Sequence, residues 1–304
     1  MMDEIKNFRG ATPTITRHAE NAARARLLHA MQEPTPASPR RRTPRLAWRL
    51  VLAAALAGAV GTGAALIGDG GQPAITPVAS VRDLGERAAR AAATDHYRTV
   101  PSPGKWLYVK ETIAPLREEP APDVDPGRRT TLELWNSVDG RQTALDDGKG
   151  RLVIEPGPGT TAADLAKAPV TPEQMLTRIK AGLGEAPPGD TSPEDQRIFE
   201  TISQLMSGQV LEKDVRAALF RALPMIPGMS IKQDAVDAAG RHGVAFAYTG
   251  PEERFEIILN PEDYRYLGTY GESLASRTHP KAGVPLVWTA QLEAEIVDKP
   301  GARP

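Results

Sequence analysis

The chain of 304 residues contains no cysteine. Disulfides, thiolate catalysis, cysteine zinc sites and lipid attachment through a thiol are therefore excluded. The five histidines, His18, His29, His96, His242 and His279, fall into no spacing that prepares a metal site. His242, between Arg241 and Gly243, reads as a turn residue at a strand start. A glycine loop for phosphate is lacking too. Gly271, Glu272, Ser273, Leu274 and Ala275 approximate a nucleophile elbow but miss its last glycine, so Ser273 reads as a loop serine. Ser102 and Lys105 have a penicillin-binding-type spacing, yet Pro103 and Gly104 make it a turn. The series Asp123, Asp125, Gly127 stops short of a calcium loop. No cofactor, metal or catalytic residue is expected, and the chain reads as no enzyme.

Charge is also missing from one stretch: Leu50 to Gly68 carries none. Leu, Val, Ala and Ile dominate there, nearly the ~20 apolar residues that span a bilayer. The sequence predicts one transmembrane helix over 46–68, acting as an uncleaved signal anchor. Trp48 is expected at the interface and Arg49 snorkelling to headgroups. Arg40, Arg41, Arg42, Arg45 and Arg49 precede the run, and none follows until Arg82. The positive-inside rule thus leaves the amino terminus cytoplasmic. Residues 1–49 hold ten Lys and Arg against four acids, a net +6. Because the whole chain is at −1, the exterior part is acidic and unsuited to direct nucleic-acid binding. Ala57, Gly61 and Ala65 form a small-residue stripe that would let two spans approach closely as a homodimer, although an Ala- and Gly-rich helix more often yields such a stripe by chance.

The charged quarter and the 40% apolar fraction are those of a folded protein, while 28 prolines and 27 glycines cluster into linkers. The expected organisation is a basic cytoplasmic tail (1–45), the span (46–68), a stalk (69–80), an extracytoplasmic domain (81–298) and a disordered carboxy terminus (299–304). In the tail, Leu27, Leu28 and Met31 sit at helical spacing as a contact face for a partner. Outside, Val81 to Asp95 reads as a helix with Leu84, Ala88, Ala91 and Ala92 on one side. Alternation marks strands at 105–113, 130–135, 141–145 and 152–154. Helix starts follow at Thr171–Pro172 and Ser192–Pro193, each a cap before proline. A third helix runs from Leu211 to Leu223 and stops at Pro224. Strands resume at 230–236, 243–248, 255–259, 264–267 and 287–297. The fold class is α+β: one transmembrane helix, then a curved antiparallel sheet packed with helices.

Arg216, Ala217, Ala218, Leu219, Phe220, Arg221, Ala222, Leu223, then Ile226, Pro227, Gly228, then Asp237, Gly240, Arg241, Gly243, Val244, Ala245, and finally Tyr266, Leu267, Gly268 carry a likeness. On these residues the chain resembles an actinobacterial family of uncharacterised single-pass membrane proteins often encoded beside sigma factors. The resemblance implies a basic tail, one span, an exterior domain and a cytoplasmic sigma factor as partner, and it supplies no active site. The exterior element order is also similar to the half-barrels of periplasmic lipoprotein carriers and sigma-regulatory sensors, an analogy of fold alone.

Two functions are expected from this reading. The first is a non-enzymatic regulatory or sensory membrane protein that couples the exterior domain to a cytoplasmic partner. The alternative is a membrane-anchored lipid or protein carrier, whose curved sheet would shelter a ligand beside Trp106, Tyr108, Trp135 and Trp288; strand aromatics are, however, more often core.

Overall fold

The computed structural model describes residues 78–94, 102, 104–117, 123–146, 151–186, 191–275 and 281–304. Helix α1 is Val81–Thr94, and four strands follow: β1 (Trp106–Ile113), β2 (Thr130–Ser137), β3 (Gln142–Asp146) and β4 (Leu152–Pro156). Four helices come next: α2 (Ala162–Leu165), α3 (Pro172–Leu183), α4 (Glu194–Gly208) and α5 (Lys213–Ala222), the last running into a 3-10 turn at Leu223–Met225. The chain ends in β5 (Met229–Val236), β6 (His242–Thr249), β7 (Glu253–Leu259), β8 (Tyr266–Ser273) and β9 (Pro285–Val297). The α+β architecture read from periodicity is present. Among the described residues no helix is long and apolar enough to cross a membrane; the uncharged run 50–68 lies outside them.

All nine strands form one curved antiparallel sheet in the order β4-β3-β2-β1-β9-β8-β7-β6-β5. Each meander is built from hairpins, and the two meet where β1 pairs with β9, Leu107 opposite Ile296 and Val109 opposite Ala294. The helices cover one face of β5 to β8. Val244, Phe246, Tyr248, Ile257 and Leu259 of β6 and β7 are buried against Leu84, Met175, Ile179, Phe199, Ile202 and Leu219. Burying each such side chain contributes about 1.5–3 kcal/mol, so this helix-on-sheet layer dominates the stability of the described region.

Small residues set how closely the helices pack. Leu84, Gly85, Ala88, Ala89 and Ala92 are the buried stripe of α1, and a Cβ on Gly85 would fall 2.7 Å from the Phe220 carbonyl of α5. Thr171 caps α3 as its sequence predicts, its hydroxyl accepting from the Gln174 N–H, with Pro172 in the first turn. The start of α4 differs by one residue. Pro193 rather than Ser192 occupies the cap and no side chain bonds there; Glu194 and Asp195 in the first turn supply the favourable charge instead.

Two further expectations change. Strand β8 does not end at Leu267 but runs to Ser273, while Tyr264 turns through a left-handed φ of 57° before it. The carboxy terminus, expected to be disordered from 299, packs: Trp135 Nε1 donates to the Ala302 carbonyl at 2.6 Å. Arg303 adds a fork on Glu133, its Nε 3.0 Å from each carboxylate oxygen. Trp106, Tyr108, Trp135, Ala144 and Val297 form the small core that Ala302 closes.

Candidate functional site

Residues alternating with the helix-facing ones of β5 to β9 point to the opposite face. There the register aligns Ser230, Ala247, Glu256, Tyr270 and Trp288 in one row across five strands. Glu256 is fully buried. Lys232 of β5 is two strands away, yet its Nζ lies 3.1 Å from Glu256 Oε1. It crosses β6 where that strand offers only Ala245 and Ala247; any longer side chain there would block the path.

Arg254 completes the cluster. Its Nη2 lies 3.1 Å from Glu256 Oε1 and 3.0 Å from Glu272 Oε1, and Tyr270 donates its hydroxyl to Glu272 Oε2 at 2.9 Å. Burial, reinforced by the Glu272 carboxylate, raises the Tyr270 pKa and keeps its proton on. The two cations and two carboxylates balance. Even so, Glu256 Oε2 and Arg254 Nε are buried with no partner, leaving one free acceptor and one free donor in the same ion pair.

Aromatic rings border the cluster. Tyr270 meets Trp288 edge-on, centroids 5.7 Å apart at 80°. Arg129 lies 4.2 Å over the Trp288 ring and Lys232 5.5 Å over Tyr270, so each ring already carries a cation. Trp288 Nε1 is tied to the Val236 carbonyl at 3.0 Å and Arg129 Nε to that of Ala238 at 2.8 Å. The rim is thus rigid, while the Lys232 and Arg254 side chains remain partly exposed.

A second buried acid, Asp237, is fully used. It accepts from the Ala239 and Arg241 N–H groups and from Arg241 Nε at 2.7 Å. Arg241 Nη2 then reaches the Leu267 and Gln291 carbonyls at 3.0 and 2.7 Å. This clamp fastens the β5–β6 turn across β8 and β9, and its satisfied bonds assign it to structure.

The residues singled out from sequence are distributed differently. Leu27, Leu28, Met31, Trp48 and Arg49, with the Ala57, Gly61 and Ala65 stripe, lie outside the described residues. Trp106, Tyr108 and Trp135 are buried in their own core and Trp288 is sandwiched as above, so these four line no common cleft. Ser273 is not a loop residue; it ends β8, buried, donating to the Lys281 carbonyl and accepting from the Val284 N–H. His242 is half exposed, its Nδ1 2.6 Å from Asp234 Oδ1. Asp125 Oδ1 accepts from the Gly127 N–H in a tight turn. Among the described residues no three His, Asp or Glu side chains group to hold a metal.

Sequence reading passed over Glu256 and Arg254. Their one signal is spacing: two apart on a strand, they share a face, but the lysine that completes the site comes from two strands away and only the sheet order shows it. Compared with family models, curated proteins and solved structures, the chain matches none of them.

Proposed function

We propose that this chain is a single-pass membrane protein of the regulatory or sensory kind, with a cytoplasmic tail, one span over 46–68 and an extracytoplasmic binding domain. The supporting observation is the uncharged run 50–68, set between five arginines and a folded α+β domain. Such a chain places two different binding surfaces on opposite sides of a bilayer, which is what coupling an outside state to an inside partner requires. On the outside, the open sheet face at Glu256, Arg254 and Lys232 is the ligand surface. On the inside, Leu27, Leu28 and Met31 contact the partner, and a sigma factor is the candidate that the family resemblance brings.

The carrier alternative needs a sheltered apolar cleft. The helix side of the sheet is filled by the domain's own core, and the strand aromatics proposed to line a cleft are engaged in packing.

The test is affinity purification of the crosslinked full-length protein from its native membrane, beside a version lacking residues 1–33. Recovery of a sigma factor with the intact tail alone supports coupling. Recovery of the same exterior partners or lipid by both versions assigns the function to the outside domain and the tail to topology. Alanine at Leu27, Leu28 and Met31 together should abolish the cytoplasmic complex; its survival would remove those residues from the contact.

A further inference from the structure

Strand β4 is one edge of the sheet, and its residues are arranged for pairing with a copy of themselves. The Gly157 N–H donates to the Arg141 carbonyl at 2.6 Å, one step beyond Gln142 opposite Pro156, where the β3–β4 register ends. In an antiparallel ladder directly opposed residues bond at every second position. Val153 and Glu155 therefore bond inward to β3, while the N–H and C=O of Leu152 and Ile154 point out from the edge. Ile154, on the same face as Ala144 and Trp135, is 51% exposed, the most exposed large apolar residue of the described chain.

We infer that β4 is a homodimer strand, pairing antiparallel with β4 of a second copy about a two-fold axis at Val153. In that register Leu152 faces the partner's Ile154 and Ile154 the partner's Leu152, so all four outward N–H groups meet carbonyls. Leu152 already packs on the Trp106, Tyr108 and Trp135 core, and the contact extends that core across the seam, covering Ile154. On the other face Glu155 meets the partner's Arg151, twice over, an opposite-charge pair of the kind that favours cross-strand pairing. The hollow beside this edge, lined by Asp139, Arg141, Gln142, Ile154, Glu155 and Pro156, leaves room beside Glu155 for the partner's arginine. Centring on Ile154 instead would put Glu155 opposite the partner's Val153 and forgo the cross-strand charge pair, so charge favours the register centred on Val153. The pairing is isologous, as a two-fold dimer demands.

The absence of cysteine makes the test direct. Val153→Cys in the full-length membrane protein introduces a sole thiol at the two-fold position, a non-hydrogen-bonded pair whose facing Cα atoms are ~4.5 Å apart and within disulfide reach. Mild oxidation should convert most of the protein to a disulfide dimer, while Thr177→Cys, on exposed α3, should give at least tenfold less. Adding Glu155→Arg to Val153→Cys should cut the yield about tenfold, and adding Arg151→Glu to that variant should restore it; circular dichroism confirms folding at each step. Cross-linking no higher than at Thr177, failure of the charge exchange to restore it, or trapping of a different polypeptide by the thiol would overturn the dimer. Pairing through the membrane span alone gives the first of these outcomes. None of them bears on the cytoplasmic partner.

Discussion

Lys232 and Glu256 stand on β5 and β7, with β6 between them, and still meet at 3.1 Å. The contact exists because Ala245 and Ala247 keep the intervening strand low. It places a fully buried carboxylate under a lysine whose side chain is 39% exposed, so the cover of the site is itself accessible to solvent.

Removing the acid should therefore cost more than removing the cover. Glu256→Ala leaves Lys232 and Arg254 without their shared acceptor and is expected to lose about 2–3 kcal/mol in urea unfolding. Lys232→Met, which leaves Arg254 on the carboxylate, should lose about 1 kcal/mol or less. A larger loss for Lys232→Met than for Glu256→Ala would contradict this ranking.

Blocking the path should mimic losing the lysine. Ala247→Leu fills the space over which Lys232 passes, and overpacking of this sort costs about 1–3 kcal/mol. Combined with Lys232→Met, the penalty should shrink, because the obstructed side chain is gone. Full additivity of the two in a double-mutant cycle would show that the lysine does not depend on that alanine.

The docked carboxy terminus should respond to pH at both extremes. Arg303, then the Tyr108 hydroxyl, hold the Glu133 carboxyl below its ordinary range. A depressed carboxylate stabilises the fold above its unfolded pKa and loses that contribution as pH falls through the folded value, so the acid limb lies below about pH 4. Tyr108 is shifted the other way: burial and its bond to Glu133 raise it from 10.0 to about 12. Its contribution is complete below 10.0 and disappears as pH climbs to about 12. Tryptophan fluorescence, reporting Trp135 against Ala302, should change on both limbs, and Arg303→Ala should flatten the acid one. An unchanged acid limb would separate Glu133 from the terminus.

Gly85→Ala reverses an ordinary expectation. Inside a helix the change normally gains roughly 0.5–1 kcal/mol, but here the new Cβ would sit 2.7 Å from the Phe220 carbonyl. Separating α1 from α5 should make the substitution destabilising by about 1–3 kcal/mol. A raised melting temperature would mean that the two helices yield more easily than their spacing implies.

On the proposed topology, alkaline carbonate leaves the protein in the membrane pellet, and alkaline phosphatase is active when fused after Pro304 and inactive when fused after Arg45. The reverse pattern would invert the orientation.

Much of the sheet was legible because β6 and β7 have one face against the helices and β1 and β2 one face in the core around Trp106, Tyr108 and Trp135, so period-two alternation survives in their sequences; the predicted starts of β1, β2, β6 and β7 fall within two residues of those observed. Strand β8 was cut short by its own composition. Gly268 and Gly271 read as breakers, yet they are sites of close approach: a Cβ would fall 2.2 Å from the Thr289 carbonyl at the first and 2.5 Å from the Phe255 ring at the second. The packed terminus was hidden for a similar reason. Gly-Ala-Arg-Pro looks like a tail until Trp135 and Glu133, more than 160 residues earlier, supply an indole donor and a carboxylate. Glu256 was illegible for want of sheet order, since alternation marks its face but not the lysine that arrives from β5.

The β1–β9 seam also sets a timetable. One meander runs from β1 to β4 and the other from β5 to β9, and they are joined side by side only by the last strand made. During synthesis, each half can assemble its own hairpins, but the nine-stranded sheet cannot close until Val297 and its neighbours have emerged. A chain halted before residue 285 leaves β1 and β8 as raw edges, ready substrates for a quality-control protease.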